Sequence, residues 1–148
     1  MHTSRPPGHV QVSVIIPTLN RGHLIGHTLR SLHAQTLLNW EAIVVDDGSI
    51  DRTSELMEEW SQRDGRIRYF NRYDLALPGT PPGAPACRNL GTKLATGTYV
   101  IYVDSDDVLA QTALEKRVAC MEQNPDLDFA IFPCILFQEY PGDRKSVV

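Results

Sequence analysis

Strand-sized runs of consecutive apolar residues recur along this chain, and stretches of helical periodicity separate them. Val10 to Ile16 (VQVSVII), Ala42 to Val45 and Thr98 to Val103 are the clearest. Runs of this kind, without polar alternation, belong to strands covered on both faces, as in a parallel sheet between two layers of helices. The fold class that follows is α/β. Between the strands, Ile25, Leu29 and Leu32 form one helical stripe, Leu56, Met57 and Trp60 a second, and Leu114, Val118 and Met121 a third. Asp51 is placed to cap the second helix, and Asn124-Pro125 stops the third. A further helix is predicted over 86–95 with Gly97 as its C-terminal cap residue. Arg66 to Phe70 (RIRYF) reads as a less hydrophobic strand near a sheet edge, and Leu127 to Phe132 as one more apolar strand. Asn71 to Pro85 holds Pro78, Pro81, Pro82 and Pro85 with Gly79 and Gly83, a composition that predicts a long loop of functional use. Right-handed crossovers between parallel strands would gather the loops after the strands at one carboxyl edge of the sheet.

With 148 residues the chain can bury one core. Its 14 basic and 18 acidic side chains leave a net charge of −4, which argues against a nucleic-acid partner, since phosphate contacts call for a basic face. No apolar run approaches the roughly 20 residues of a membrane span. The lead-in, residues 1–9, lacks the apolar core of a signal peptide, so a cytoplasmic location is expected, peripheral to a membrane in a longer protein. Cys87, Cys120 and Cys134 are odd in number and widely spaced, and read as reduced packing thiols. His23 and His27 lie one helical turn apart without a third ligand, which favours a surface helix face over a zinc site. Lys93 and the cluster Arg63, Arg66, Arg68 and Arg72 are expected to be solvated.

Two acidic clusters, Asp46-Asp47 and Asp104/Asp106/Asp107, each follow a buried strand directly. The topology therefore brings five carboxylates to one sheet edge. Asp is common in such turns for capping alone, but crowded carboxylates repel one another unless donors or a cation compensate them. Two clusters at equivalent positions point to a hard divalent ion. An EF-hand is excluded, because Val108 and Leu109 stand where a ligand and a glycine are required. Two readings of Val103 to Asp107 (VDSDD) remain: the nucleophile motif of a haloacid-dehalogenase-type phosphatase, and a DxD motif that binds a nucleoside diphosphate through a metal.

Several separated segments together resemble the inverting family 2 glycosyltransferases of the GT-A fold. Val12 to Asn20 (VSVIIPTLN) is similar to that family's opening strand and first nucleotide-binding loop. Glu41 to Asp51 (EAIVVDDGSID) resembles its second-strand signature, Cys87 to Gly91 (CRNLG) with Ala95, Gly97 and Tyr99 its following helix, and VDSDD its DxD. The resemblance implies a Rossmann-like, mostly parallel sheet flanked by helices over residues 10–136, with 137–148 a tail at a truncation point. It implies that Pro17, Thr18, Asn20, Asp46, Asp47, Arg88, Asp104 and Ser105 contact the nucleotide, and that Asp106 with Asp104 holds Mg²⁺ or Mn²⁺. The donor would be a UDP-, GDP- or TDP-sugar, and the acceptor a glycan, lipid or other hydroxyl. The family's general base lies in its second half, so it is expected beyond Val148; Glu139 and Asp143 do not match its context. The alternative is a non-catalytic nucleotide-binding or interaction module. The long Pro/Gly loop before Arg88 departs from the family pattern.

Overall fold

The computed structural model describes residues 8–75 and 79–135. Four strands, β1 (Val12–Thr18), β2 (Trp40–Asp46), β3 (Ile67–Asn71) and β4 (Tyr99–Tyr102), form one sheet in the order β3-β2-β1-β4. Every pairing is parallel, with Val12 opposite both Trp40 and Tyr99, and Thr18 opposite Asp46. Five helices complete the described chain: α1 (Ile25–His33), α2 (Thr53–Arg63), α3 (Arg72–Leu75), α4 (Ala84–Leu94) and α5 (Ala113–Gln123).

Both central strands are buried along their whole length, as their unbroken apolar runs require. Alternate residues serve opposite faces. Val12, Val14, Ile16, Trp40, Ala42 and Val44 pack with Ile25, Leu29 and Leu32 of α1, Met57 of α2, and Leu114 and Val118 of α5. Ile15, Ile43 and Val45 pack with Cys87, Leu90 and Leu94 of α4 on the other face. Burying each such aliphatic side chain contributes about 1.5–3 kcal/mol, so the two faces of β1 and β2 dominate the stability of the sheet. Helix α4 lies close because Gly91 has no side chain: a Cβ there would stand 2.4 Å from Ile15 Cγ2.

At the amino end of the sheet, a polar cluster ties four elements together. Glu41 Oε1 accepts hydrogen bonds from Ser13 Oγ at 2.7 Å and from the Thr96 amide and hydroxyl at 2.8 Å, and Oε2 accepts from Arg68 Nη1 at 3.0 Å. Burial opposes ionisation of Glu41, but these donors outweigh it and hold the carboxyl below its ordinary 4.5. A carboxyl depressed in the fold stabilises above its unfolded pKa and loses that contribution as pH falls through the folded value. Urea midpoints should therefore decline as pH drops below about 4.5, and Glu41→Gln should flatten that decline. Equal slopes in the two proteins would assign the acid sensitivity elsewhere, Asp64 being the next candidate: its hydrogen bond from Arg66 holds it well below the usual carboxylate range.

Several sequence expectations are corrected. The predicted strand over 127–132 has no strand pairing. It lies across a cavity of about 620 Å³ from β4, with Phe129 and Ile131 exposed, and a strand without a ladder partner does not satisfy its backbone. The predicted loop 71–85 contains α3 and the first turn of α4, with Pro85 in that first turn, where its missing N–H costs nothing. Pro78 lies outside the described residues. Asp51 is not the N-cap of α2; it sits one residue earlier and accepts from the Thr53 amide and hydroxyl. Gly97 does not cap α4, whose last residue is Leu94 and whose C-cap is Ala95; its role is close approach to β1. Only Arg63 of its cluster behaves as expected, exposed beside Glu59. Arg66 stacks 3.9 Å over Trp40, Arg68 pairs with Glu41, and Arg72 is buried.

Candidate functional site

From β1 the chain steps outward to β2 and β3, then returns to place β4 on the other side of β1. The loops leaving β1 and β4 therefore diverge, and the carboxyl ends of these strands open a crevice where α/β sheets bind ligands. A cleft of about 350 Å³ occupies that position. Pro17, Thr18, Leu19 and Arg21 wall it from β1, Asp47 from β2, and Asp104, Ser105 and Asp106 from β4. The start of α4 closes it with Gly83, Ala84, Cys87 and Arg88. The larger cavity beside β4 is lined mostly by apolar groups and lacks the acidic loops, so the chemistry belongs to the smaller cleft.

Most of the residues implied by the sequence meet here; two stand outside the lining. Asp46 Oδ1 accepts from the Gly48 amide at 3.0 Å and from the Ser49 amide and hydroxyl at 2.8 and 2.7 Å, while Oδ2 accepts from Tyr69 Oη at 2.7 Å. Its carboxylate is spent on the turn, where Gly48 takes a φ of 94° that suits glycine. Asn20 Oδ1 accepts from the Ile50 amide at 2.9 Å and its own amide donates to Ser49 Oγ at 2.8 Å, which ties the two loops together. Neither residue lines the cleft. Here both residues hold the turns beside the cleft. Hydrogen-bond patterns of this kind depend on backbone turns that carry no distinct residue signal.

Thr18 is 4% exposed and its Oγ1 has no hydrogen-bond partner. A buried hydroxyl left unpaired costs about 1–3 kcal/mol, and here it borders the cleft. Asp47 is buried and compensated: Arg72 Nε donates to Oδ1, and the Gly83 amide donates to Oδ2 at 2.7 Å. Arg72 was missed as a site residue because its sequence neighbours give no hint that β3 delivers it beneath Asp47. Across the cleft, Arg88 Nη2 donates to Asp104 Oδ1 at 2.6 Å. Asp107, outside the cleft lining, is pushed above the ordinary carboxylate range by burial and then by the charges of Asp104 and Asp106. That repulsion marks the β4 loop as a place where a cation would be stabilising. Burial, with Asp47 nearby, pushes the Cys87 thiol up to about 11, so it is a packing group and not a nucleophile.

Among the described residues no group of three His, Cys, Asp or Glu side chains forms a complete metal site. His23 and His27 belong to no such group, and His27 Nδ1 lies 3.1 Å from Arg30 Nη2. No described helix is long and apolar enough to cross a membrane.

The model of glycosyl transferase family 2 matches residues 13–137. An Escherichia coli relative, the UDP-Glc:alpha-D-GlcNAc-diphosphoundecaprenol beta-1,3-glucosyltransferase WfgD, is 36% identical over 76% of this chain and 42% of its own length. Staphylococcus aureus TarS 1–349 in complex with UDP-GlcNAc superposes with a TM-score of 0.68 at 28% identity, over 87% of this chain and 38% of its own. The mannosyltransferase PcManGT from Pyrobaculum calidifontis, in complex with GDP-Man and Mn²⁺, gives 0.64 at 26%, over 80% and 33%. The chain spans no more than 42% of the length of any of these three proteins. The fold is the Rossmann-like GT-A arrangement expected from the sequence.

Proposed function

Since the chain belongs to glycosyl transferase family 2, we propose that its cleft binds a nucleoside-diphosphate sugar together with a divalent metal, and that the protein transfers the sugar with inversion to an acceptor hydroxyl. The observation that carries this reading is the pairing of two unlike walls in one cleft. Thr18 and Asp47 offer a hydroxyl and a carboxylate suited to a nucleoside, while Asp104 and Asp106 stand opposite, at the end of β4. A TarS structure with UDP-GlcNAc and the mannosyltransferase with GDP-Man and Mn²⁺ support the ligand class. The phosphatase reading of VDSDD falls with the family assignment.

Two carboxylates suit an ion of the Mg²⁺ or Mn²⁺ type, which keeps waters and completes its shell with substrate phosphates. Asp106 would hold it with Asp104 in support, and the bound ion would offset charge that develops as the diphosphate departs. Pro17 and Thr18 wall the nucleoside, and the Thr18 hydroxyl finds in the ligand the partner it lacks in the protein. Asp47 accepts from a base N–H. Arg88, released from Asp104, is within the same cleft to pair with the diphosphate, bidentate geometry being its advantage over lysine. Ser105, buried in the turn, lines the cleft between the two acidic residues and is placed to contact the nucleotide. A base for the acceptor hydroxyl is required; we place it in the second half of the longer relatives, and Glu139 and Asp143 lie outside the described residues.

Calorimetry of the chain with UDP, GDP and TDP, with and without Mn²⁺, tests the proposal. One of the three should bind, at least about tenfold tighter with the metal, a gain of about 1.4 kcal/mol. Binding of none, or binding indifferent to Mn²⁺, overturns it.

A further inference from the structure

Arg72 is the buried basic side chain among the described residues near the cleft, and the proposed function assigns it no role. It opens α3 directly after β3 and is 3% exposed. Its Nε donates to Asp47 Oδ1, its Nη1 lies 3.5 Å from the Thr80 carbonyl oxygen, and its guanidinium carbon lies 4.4 Å from the centre of the Tyr73 ring. That ring rests on the turn after β2, so tightly that a Cβ on Gly48 would fall 2.6 Å from Tyr73 Cε2. On the far side of Asp47, the Gly83 amide donates to Oδ2 at 2.7 Å just where α4 begins. The β2 turn, α3 and the approach to α4 thus converge on one carboxylate, and Arg72 does not line the cleft that Asp47 faces.

A buried carboxylate is stabilised by a cation held against it, and it accepts about four hydrogen bonds. With one donor on each oxygen among the described residues, Asp47 keeps capacity for another N–H from the cleft side. An ionised carboxylate donates nothing. It therefore favours bases that present a ring N–H, as uracil, thymine and guanine do, and it repels cytosine, whose corresponding ring nitrogen is an acceptor.

We propose that Arg72 is a positioning residue for base selection: from behind the cleft it holds Asp47 as an aimed acceptor, and so restricts the donor nucleotide to bases with a ring N–H. This rests on the nucleotide-binding reading above. A group that touched only the diphosphate would leave base preference alone, and a group that only stabilised the fold would weaken every ligand together. Arg72 acts on the base and spares the diphosphate.

Calorimetry on the full chain with Mn²⁺ tests this, with three probes: the nucleoside diphosphate that the wild type binds best, CDP, and inorganic pyrophosphate. Arg72→Met should lower affinity for the first by about tenfold or more, leave pyrophosphate unchanged, and erase the preference over CDP. Arg72→Lys keeps the charge but lacks the Nε–H and the planar fork, so it should fold and show the same pattern; it decides the matter if the methionine variant does not fold. The proposal is overturned if the ratio of nucleotide to pyrophosphate affinity is unchanged in either folded variant, or if both ligands weaken in parallel. If the wild type binds neither nucleotide nor pyrophosphate, the functional reading itself fails; if Asp47→Asn weakens the nucleotide and Arg72→Met does not, that reading stands and the role of Arg72 alone falls.

Discussion

Asp106→Ala should lower Mn²⁺-supported affinity for a nucleoside diphosphate by about a hundredfold, roughly 2.7 kcal/mol, while affinity measured without metal stays near the wild-type value. The asymmetry follows from the site. Asp106 is exposed at the mouth of the cleft, and its charge, with that of Asp104, pushes the Asp107 carboxyl upward. In the absence of a cation this carboxylate adds repulsion, so removing it should leave the unfolding midpoint within about 0.5 kcal/mol of wild type. Metal titrations of the two proteins, each with and without nucleotide, measure both quantities. Equal metal-supported affinity in the variant would move the metal site away from the β4 loop.

Gly97→Ala should destabilise the protein strongly with a single methyl group. A Cβ at Gly97 would stand 2.6 Å from the Ser13 amide nitrogen and 2.8 Å from both Ser13 Oγ and the Val12 carbonyl carbon. These are atoms of the buried central strand, which cannot retreat. The Gly97 amide also donates to Ser13 Oγ at 2.8 Å, and that hydroxyl donates on to Glu41. Overpacking a core costs about 1–3 kcal/mol when side chains can yield; with backbone on the other side, about 3 kcal/mol or more is expected. Urea denaturation of Gly97→Ala beside Gly65→Ala makes the comparison internal. Nothing lies within 4 Å of a Cβ at Gly65, so that variant should match or slightly exceed wild type. A Gly97→Ala protein as stable as Gly65→Ala would mean that β1 is free to move away from the α4–β4 connection.

These predictions separate what could be read along the chain from what could not. The two central strands were legible, because residues covered on both faces must be apolar in succession. So was the edge position of β3, whose arginines need solvent or partners. The segment 127–132 carries an equally apolar signal and yet forms no strand, since apolar content cannot supply a ladder neighbour. Gly97 illustrates the same limit. A glycine just after a helix reads as a cap, whereas the structure uses it for an approach between backbones that are 84 residues apart in sequence.

At the site, the residues were legible and their division of labour was not. Asp46 and Asp47 are neighbours of one type, but consecutive residues leaving a strand point to opposite sides. Asp46 is consumed by its own turn and by Tyr69, while Asp47 faces the cleft with Arg72 behind it. Arg72 itself carried no signal, because the ion pair joins the ends of two different strands.

By itself the sequence determined the α/β class, the family, and the acidic loops at the carboxyl edge, since these depend on residue type and local order. The tertiary structure alone decided which carboxylates face a ligand, which are held as scaffold, and which cation compensates each. Those outcomes depend on strand order and on groups brought together from distant parts of the chain, and the energies of burial and pairing act only after the fold has assembled them.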